Sequence, residues 1–226
     1  PNIDWCEDHK GETVYSNITA PLVHARLCEA RKIYWVHLSS GCIYSGGSPG
    51  VRGFTETDIA NPVSFYAFTK AEAEKVLIHF PVLVLRLRMP LDKLPSSRNL
   101  ITKLSRYPKV IDVENSITIV EDLLLSAEKL IEKRRTGFFN IVNPGPVKHS
   151  EILSLYTQLV DPDHRYELIP AEELQSRGLA KTGRSNCILD TNKLQSEGIK
   201  LQPALPAIKE CLVEYSKHFS KTALSL

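Results

Sequence analysis

A chain of 226 residues is long enough to bury a substantial core, as one domain or as one domain with a small lobe. Hydrophobic residues at 42% and charged residues at 24% exclude a disordered chain, and no run of eighteen apolar residues points to a membrane span. A formal net charge of +2, with no basic run interleaved with aromatics, argues against a nucleic-acid partner. The five cysteines, Cys6, Cys28, Cys42, Cys187 and Cys211, form no C-x-x-C pair, which favours free thiols in a reducing compartment. The seven histidines show no ligand spacing, so no metal is expected. With no charged-then-apolar leader, the expected location is cytoplasmic.

From His9 to about Arg31 the apolar positions Val14, Ile18, Leu22, Ala25 and Cys28 recur at helical spacing, with Asn17 among them and Pro21 as a kink. Residues 33 to 39 read as a buried parallel strand that ends abruptly in Ser39-Ser40-Gly41-Cys42, its carboxyl end opening onto a site. Were the strand to continue, Cys42 would share the face of Ser40, although a small buried hydrophobe is the commoner fate of cysteine. Residues 44 to 60 read as a Gly/Pro/Ser loop, and Gly46-Gly47 come too late to be a dinucleotide fingerprint. The next helix runs to about His79 and carries Tyr66 and Lys70, which at a separation of four share one face. An ammonium beside a phenol is expected to lower the tyrosine pKa and make a usable general acid, with a hydroxyl of Ser39 or Ser40 holding a carbonyl oxygen.

Val82 to Arg88 reads as a strand buried on both faces and ended by Met89-Pro90. Arg98 to Leu104 opens a short amphipathic helix on which Asn99 and Lys103 share a face, as they would on a plain surface helix. Residues 109 to 111 and 137 to 142 read as the remaining short strands, separated by a helix from about Val120 to Arg135. After Asn143-Pro144-Gly145-Pro146 the character changes, with helices near 149–160, 171–178 and 205–218 and a strand at about 164–169. Residues 1–145 and 146–226 are therefore expected to form a main domain and a small lobe. Arg184 falls in a loop of that lobe, suited to a bidentate phosphate contact or simply solvated.

The segments PNIDWCEDHK with Asn17, SSGCIY, FYAFTKAEAE, LRLRMP, RNLITKLSRY, NIVNPGPVKHSEIL and RSNCILD together resemble the extended short-chain dehydrogenase/reductase superfamily. Within it they are most similar to the bifunctional 3,5-epimerase/4-reductases that make activated L-rhamnose, such as the reductase half of plant UDP-rhamnose synthases. The resemblance implies a doubly wound, parallel-sheet Rossmann-type α/β domain with a C-terminal substrate lobe. It also implies NADPH or NADH as cofactor and a nucleotide 4-keto-6-deoxy sugar, carried on UDP or dTDP, as substrate. Ser40 would orient the ketone, Tyr66 protonate it, and Lys70 tune Tyr66 and bind the nicotinamide ribose, while Met89 and Pro90 would line the nicotinamide. A helix near 97–106 would cross the sugar-nucleotide site with Arg98, Asn99 and Lys103, and Arg184 would face the diphosphate. Cys42 and Lys103 would be base and acid of the epimerisation, and Asn17 would help hold the active-site backbone near Lys70.

In the resembled family PNIDWCE follows the fourth strand. The pyrophosphate-binding half is thus expected to be missing from this chain, and a partner chain or a homodimer is a compatible arrangement. Three rivals remain: a non-catalytic subunit that keeps the fold, as in the regulatory subunit of methionine adenosyltransferase; a GDP-fucose synthase-like epimerase/reductase; and a simple dTDP-4-dehydrorhamnose reductase. The second uses a histidine as its other epimerisation acid, and none occurs between His79 and His149.

Overall fold

Strands β1 (Trp35–Ser40), β2 (Val82–Leu87) and β6 (Gly137–Ile141) lie parallel in the order β1-β2-β6. The structure, a computed structural model, describes residues 3–219 apart from 49 and 51. The first two residues of PNIDWCEDHK, two positions of the 44–60 loop and the chain's last seven residues lie outside the described residues. Alternation along β2 decides what covers the sheet. Val82 and Val84 point to one face, where Ala25 of α3 (Ala20–Ala30) and Leu77 of α4 (Phe65–Leu77) cover them. Leu83 and Leu85 point to the other, against Leu123 and Leu130 of α6 (Val120–Glu132) and Leu194 of α9 (Asn192–Ser196). Each leucine so buried contributes about 1.5–3 kcal/mol. Helices on both faces of a parallel sheet make the expected doubly wound α/β layering.

A second sheet, β3 (Pro90–Leu91), β5 (Asn115–Ile119) and β7 (Asn143–Val147), was not anticipated. β3 runs parallel to β5, and β7 antiparallel to it. Asn143-Pro144-Gly145-Pro146, expected as a break, is an edge strand there, a position where proline's missing N–H does no harm. Its core joins Leu91, Ile101, Leu104 and Ile117 to Ile152 and Tyr156 of α7 (His149–Leu159) and Ile208 and Leu212 of α10 (Ala204–His218). Residues from both sides of position 145 thus share one core. β4 (Lys109–Ile111) pairs with β8 (Glu167–Ile169) instead of joining the main sheet.

The single helix expected over 9–31 is three pieces: α2 (Lys10–Val14), a π-helical turn Tyr15–Thr19, and α3. Pro21 sits in the first turn of α3, where its lacking N–H is tolerated, and the wider turn before it absorbs the break. An additional helix, α1 (Ile3–Asp8), precedes them. Among the described residues no helix is long and apolar enough to cross a membrane.

Candidate active site

The polar groups gather at the carboxyl ends of β1 and β2. β1 ends at Ser40, and Gly41–Ile43 turns tightly in a 3-10 geometry, with the Ser40 hydroxyl accepting from the Cys42 N–H at 3.2 Å. Cys42 therefore reaches the site through this turn and not through strand alternation, which corrects the expectation from period two. The two serines part company as neighbours on a strand must. Ser39 donates to Glu74 at 2.6 Å on the far side, while Ser40 lies on the side of the Tyr66 phenol and favours its ionised form.

Tyr66 stands in the first turn of α4, which is held from two directions. Ser64 caps it, its hydroxyl accepting from Ala67 N at 3.2 Å, and Glu7 of α1 accepts from Phe65 N at 2.8 Å. Lys70, one turn on, donates to the Leu38 carbonyl at 3.2 Å. Asn17, in the π turn, donates to Thr69 Oγ1 at 3.0 Å and so braces α4 beside Lys70. The expected lowering of the Tyr66 pKa is not what the structure holds. Burial pushes it up to about 12, the nearby Cys42 adds to the rise, and the Ser40 hydroxyl and the Arg88 charge oppose it. Burial lowers the pKa of Lys70 itself, with Glu74 opposing.

Beneath the turn lie groups that sequence reasoning missed. Arg88 donates through Nη1 to Cys42 Sγ at 2.8 Å, through Nη2 to Asn115 Oδ1 at 2.6 Å, and to the Ser185 carbonyl. Asn115, Ser116 and Thr118 of β5 look like exposed residues in the sequence. They are buried, and they bond Cys187 N, Leu189 N and the Ile141 carbonyl respectively. The segment 185–190 is the hub: Gly46 N bonds the Asn186 carbonyl, Ser116 N that of Cys187, and Phe54 N that of Ile188. Gly53 passes so close that a Cβ would lie 2.7 Å from the Ile188 oxygen, at a φ of +120°. A signal for this hub existed in the two arginines of LRLRMP, since buried arginines demand acceptors.

Other expected site residues are placed differently. Met89, at a left-handed φ of 43°, bends the chain from the main sheet into β3, and Pro90 opens that strand. Arg98 and Lys103 are exposed, and neither bonds Ser40, Cys42, Tyr66 or Lys70. Asn99 is not free for a ligand. Its Oδ1 accepts from Ile101 N and Asp92 N, and its Nδ2 donates to the Asp92 and Leu94 carbonyls, which spends the whole amide on capping α5 (Leu100–Leu104) and holding the 92–94 loop. Arg184 is not a solvated loop residue either, because both its terminal nitrogens bond the Asp4 carboxylate of α1, at 3.0 and 2.6 Å.

A doubly wound α/β sheet whose first strand ends in Ser40 against Tyr66 has the layout of a Rossmann-type protein with its site at the carboxyl edge. The chain belongs to the RmlD substrate binding domain family, which matches residues 1–216. It is 40% identical to the bifunctional dTDP-4-dehydrorhamnose 3,5-epimerase/dTDP-4-dehydrorhamnose reductase of Arabidopsis thaliana, over 95% of this chain and 72% of that protein. A trifunctional UDP-glucose 4,6-dehydratase/UDP-4-keto-6-deoxy-D-glucose 3,5-epimerase/UDP-4-keto-L-rhamnose-reductase of the same plant is 38% identical, and the chain spans 32% of its length. Among solved structures, the UDP-rhamnose synthase of Acanthamoeba polyphaga mimivirus superposes with a TM-score of 0.82 at 34% identity, covering 88% of this chain and 70% of that one. The dTDP-4-dehydrorhamnose reductase of Bacillus anthracis, solved with NADP, shares the fold at a TM-score of 0.79 and 18% identity, covering 96% of this chain and 76% of that one.

Proposed function

We propose that this chain provides the catalytic end of an NAD(P)H-dependent enzyme that epimerises a nucleotide 4-keto-6-deoxyhexose at C3 and C5 and reduces it at C4, giving an activated L-rhamnose. The observation that carries this is the convergence of Ser40 and the Tyr66 phenol at the end of β1, with Lys70 on the next turn and the Cys42 thiol in the turn between. Relatives named for both activities, at 40% and 38% identity, support it.

The residues fit the nicotinamide end of such a cofactor. Lys70 gives one of its three N–H groups to Leu38 and has two left for a ribose, and the left-handed bend at Met89 turns the backbone away from the strand end. Among the described residues no Gly-rich strand-to-helix turn is present to hold a pyrophosphate. Tyr66, Lys70, Met89 and Pro90 would hold the nicotinamide and its ribose, and when bound the cofactor supplies the hydride for C4. Ser40 and Tyr66 share the C4 oxygen between them, and Tyr66, kept protonated by its raised pKa, gives that oxygen its proton. Carbons C3 and C5 flank the ketone, so Cys42 can take either proton while the same two hydroxyls stabilise the enolate. Lys103 on α5 is the proton donor on the opposite face, and Arg98 and Arg184 are the cations for the diphosphate. Asn99 shapes the loop that presents Arg98 and Lys103. The substrate lobe in this account comprises the second sheet with α5, α7 and α10.

The test is incubation with a nucleotide 4-keto-6-deoxyhexose and NADPH in heavy water. Sugar-dependent NADPH consumption with deuterium at C3 and C5 is expected. Cys42→Ser is expected to abolish the deuterium while an already epimerised ketose is still reduced. Unaltered deuterium exchange in that variant would remove Cys42 as the base, NADPH consumption without deuterium in the unaltered enzyme would leave a simple 4-reductase, and no NADPH consumption by the full-length protein would refute the proposal.

A further inference from the structure

Arg86 and Arg88 lie two residues apart, equally buried, and differ in what compensates them. Arg86 forms an ion pair with Glu74 at 2.6 Å. Arg88, 5% exposed, has only neutral partners: the Asn115 amide oxygen, the Ser185 carbonyl and Cys42 Sγ. Its Nε has no partner, and among the described residues no carboxylate comes within ion-pairing distance of it. A guanidinium does not give up its proton, so this is a buried positive charge that lacks an anion.

Three groups with acidic hydrogens surround it. Tyr66 of α4 is held neutral by a pKa near 12. Cys187 donates its thiol to the Gly41 carbonyl at 3.2 Å, and burial pushes its pKa up. Cys42 alone has its sulfur accepting from the guanidinium, at 2.8 Å. The remaining titratable neighbour, His149 of α7, is lowered by burial and by the Arg88 charge and so adds no competing cation at neutral pH.

We propose that Arg88 carries Cys42 as a thiolate, which makes Arg88 the positioning residue of the base in the epimerisation. What the thiolate acts on rests on the function proposed above; the ion pair itself does not. The chemistry balances. The Cys42 proton goes to solvent on ion-pair formation. The thiolate then removes the C3 or C5 proton, forming S–H and an enolate whose oxygen is held by Ser40 and Tyr66. A proton delivered to the opposite face of the carbon completes inversion, and the thiol returns its proton to solvent. A negative sulfur also opposes ionisation of Tyr66, which keeps the two groups in separate roles as base and acid.

The test needs no sugar. Cys42, the partly exposed thiol of this site, is alkylated with iodoacetamide across a pH series on the whole chain, and its peptide is followed by mass spectrometry. Rapid reaction at neutral pH is expected. In Arg88→Gln the neutral-pH rate should fall about tenfold or more and recover at high pH. If Arg88→Gln fails to fold by circular dichroism, the thiolate absorbance of the unaltered chain minus that of Cys42→Ser at neutral pH decides the matter. An alkylation profile unmoved in Arg88→Gln, or no thiolate absorbance assignable to Cys42, would overturn the proposal. Because no sugar is present, a failure of the epimerisation itself leaves these measurements unaffected.

Discussion

At the scale of single residues, the environment of Tyr66 changes the chemical argument. A phenol at a pKa near 12 is an acid that arrives loaded, and in the proposed reaction its proton is the one the C4 oxygen needs. Tyr66→Phe is expected to keep NADPH binding and to lose turnover by about 10²-fold or more, read by cofactor titration and steady-state kinetics. Unchanged turnover would remove Tyr66 from the reaction. His37 of β1 makes a separate prediction. Burial, with the charges of Lys70 and His24, pushes its pKa down from 6.5 to about 4, and its Nε2 has no partner. Between those values the unfolded chain binds the proton and the folded chain does not. Stability should therefore fall as pH drops from 6.5 toward 4, by up to about 1.4 kcal/mol per pH unit for this one group. His149 and His164 are shifted in the same direction and add to the slope. Urea denaturation across this window should show a shallower slope in His37→Gln; an identical slope would show that His37 takes up its proton without resistance.

At the scale of elements, α4 is fastened to the sheet by a buried charge pair. Arg86 of β2 grips Glu74 through Nε and Nη2, Glu74 also accepts from Ser39, and Arg86 Nη1 goes on to the Tyr44 hydroxyl at 3.1 Å. Glu74→Gln removes the anion and leaves the guanidinium buried, so a loss of about 3–5 kcal/mol in denaturant unfolding is expected. A loss below about 1 kcal/mol would mean that water reaches the pair. Which elements were legible in the sequence follows from the same physics. β1, β2, α4 and α6 announce themselves through apolar period and length, because their burial is achieved by side chains that look buried. β5 does not. Asn115-Ser116-Ile117-Thr118-Ile119 reads as half polar, and its burial depends on partners about seventy residues away, at Cys187 and Leu189. β7 was hidden by its two prolines, tolerated only because the strand lies at an edge. The proposed catalytic residues Ser40, Tyr66 and Lys70 were visible through spacing and family resemblance. Arg88 was not, because nothing local distinguishes an arginine that lacks its carboxylate from one that has it.

At the scale of the whole molecule, the beginning of the described chain is tied to its last third. Asp4 and Asp8 of α1 pair with Arg184 and Lys181, and hydrogen bonding to Arg184 holds the Asp4 pKa below its ordinary value, with the Lys181 N–H and the two cations adding to it. This contribution is present above the ordinary carboxylate range and is lost as acid protonates Asp4. If Arg184 takes the diphosphate as proposed, the tie also bears on substrate binding, since Asp4 occupies the fork of its guanidinium. Arg184→Ala should raise KM for the sugar nucleotide more than it lowers kcat, whereas Asp4→Ala should lower KM by freeing the fork. Equal KM in all three proteins would make the pair a structural clasp only. The long reach of such contacts also sets a timetable. The turn bearing Cys42 is completed by a segment 146 residues downstream, where Cys187 meets Gly41. At about 5–20 residues per second, a ribosome needs roughly 7–30 seconds to make that stretch. Until that segment is made the nascent chain holds Cys42 without one of the walls that later enclose it, so the period in which this thiol is open to oxidants or to a chaperone is set by the speed of translation.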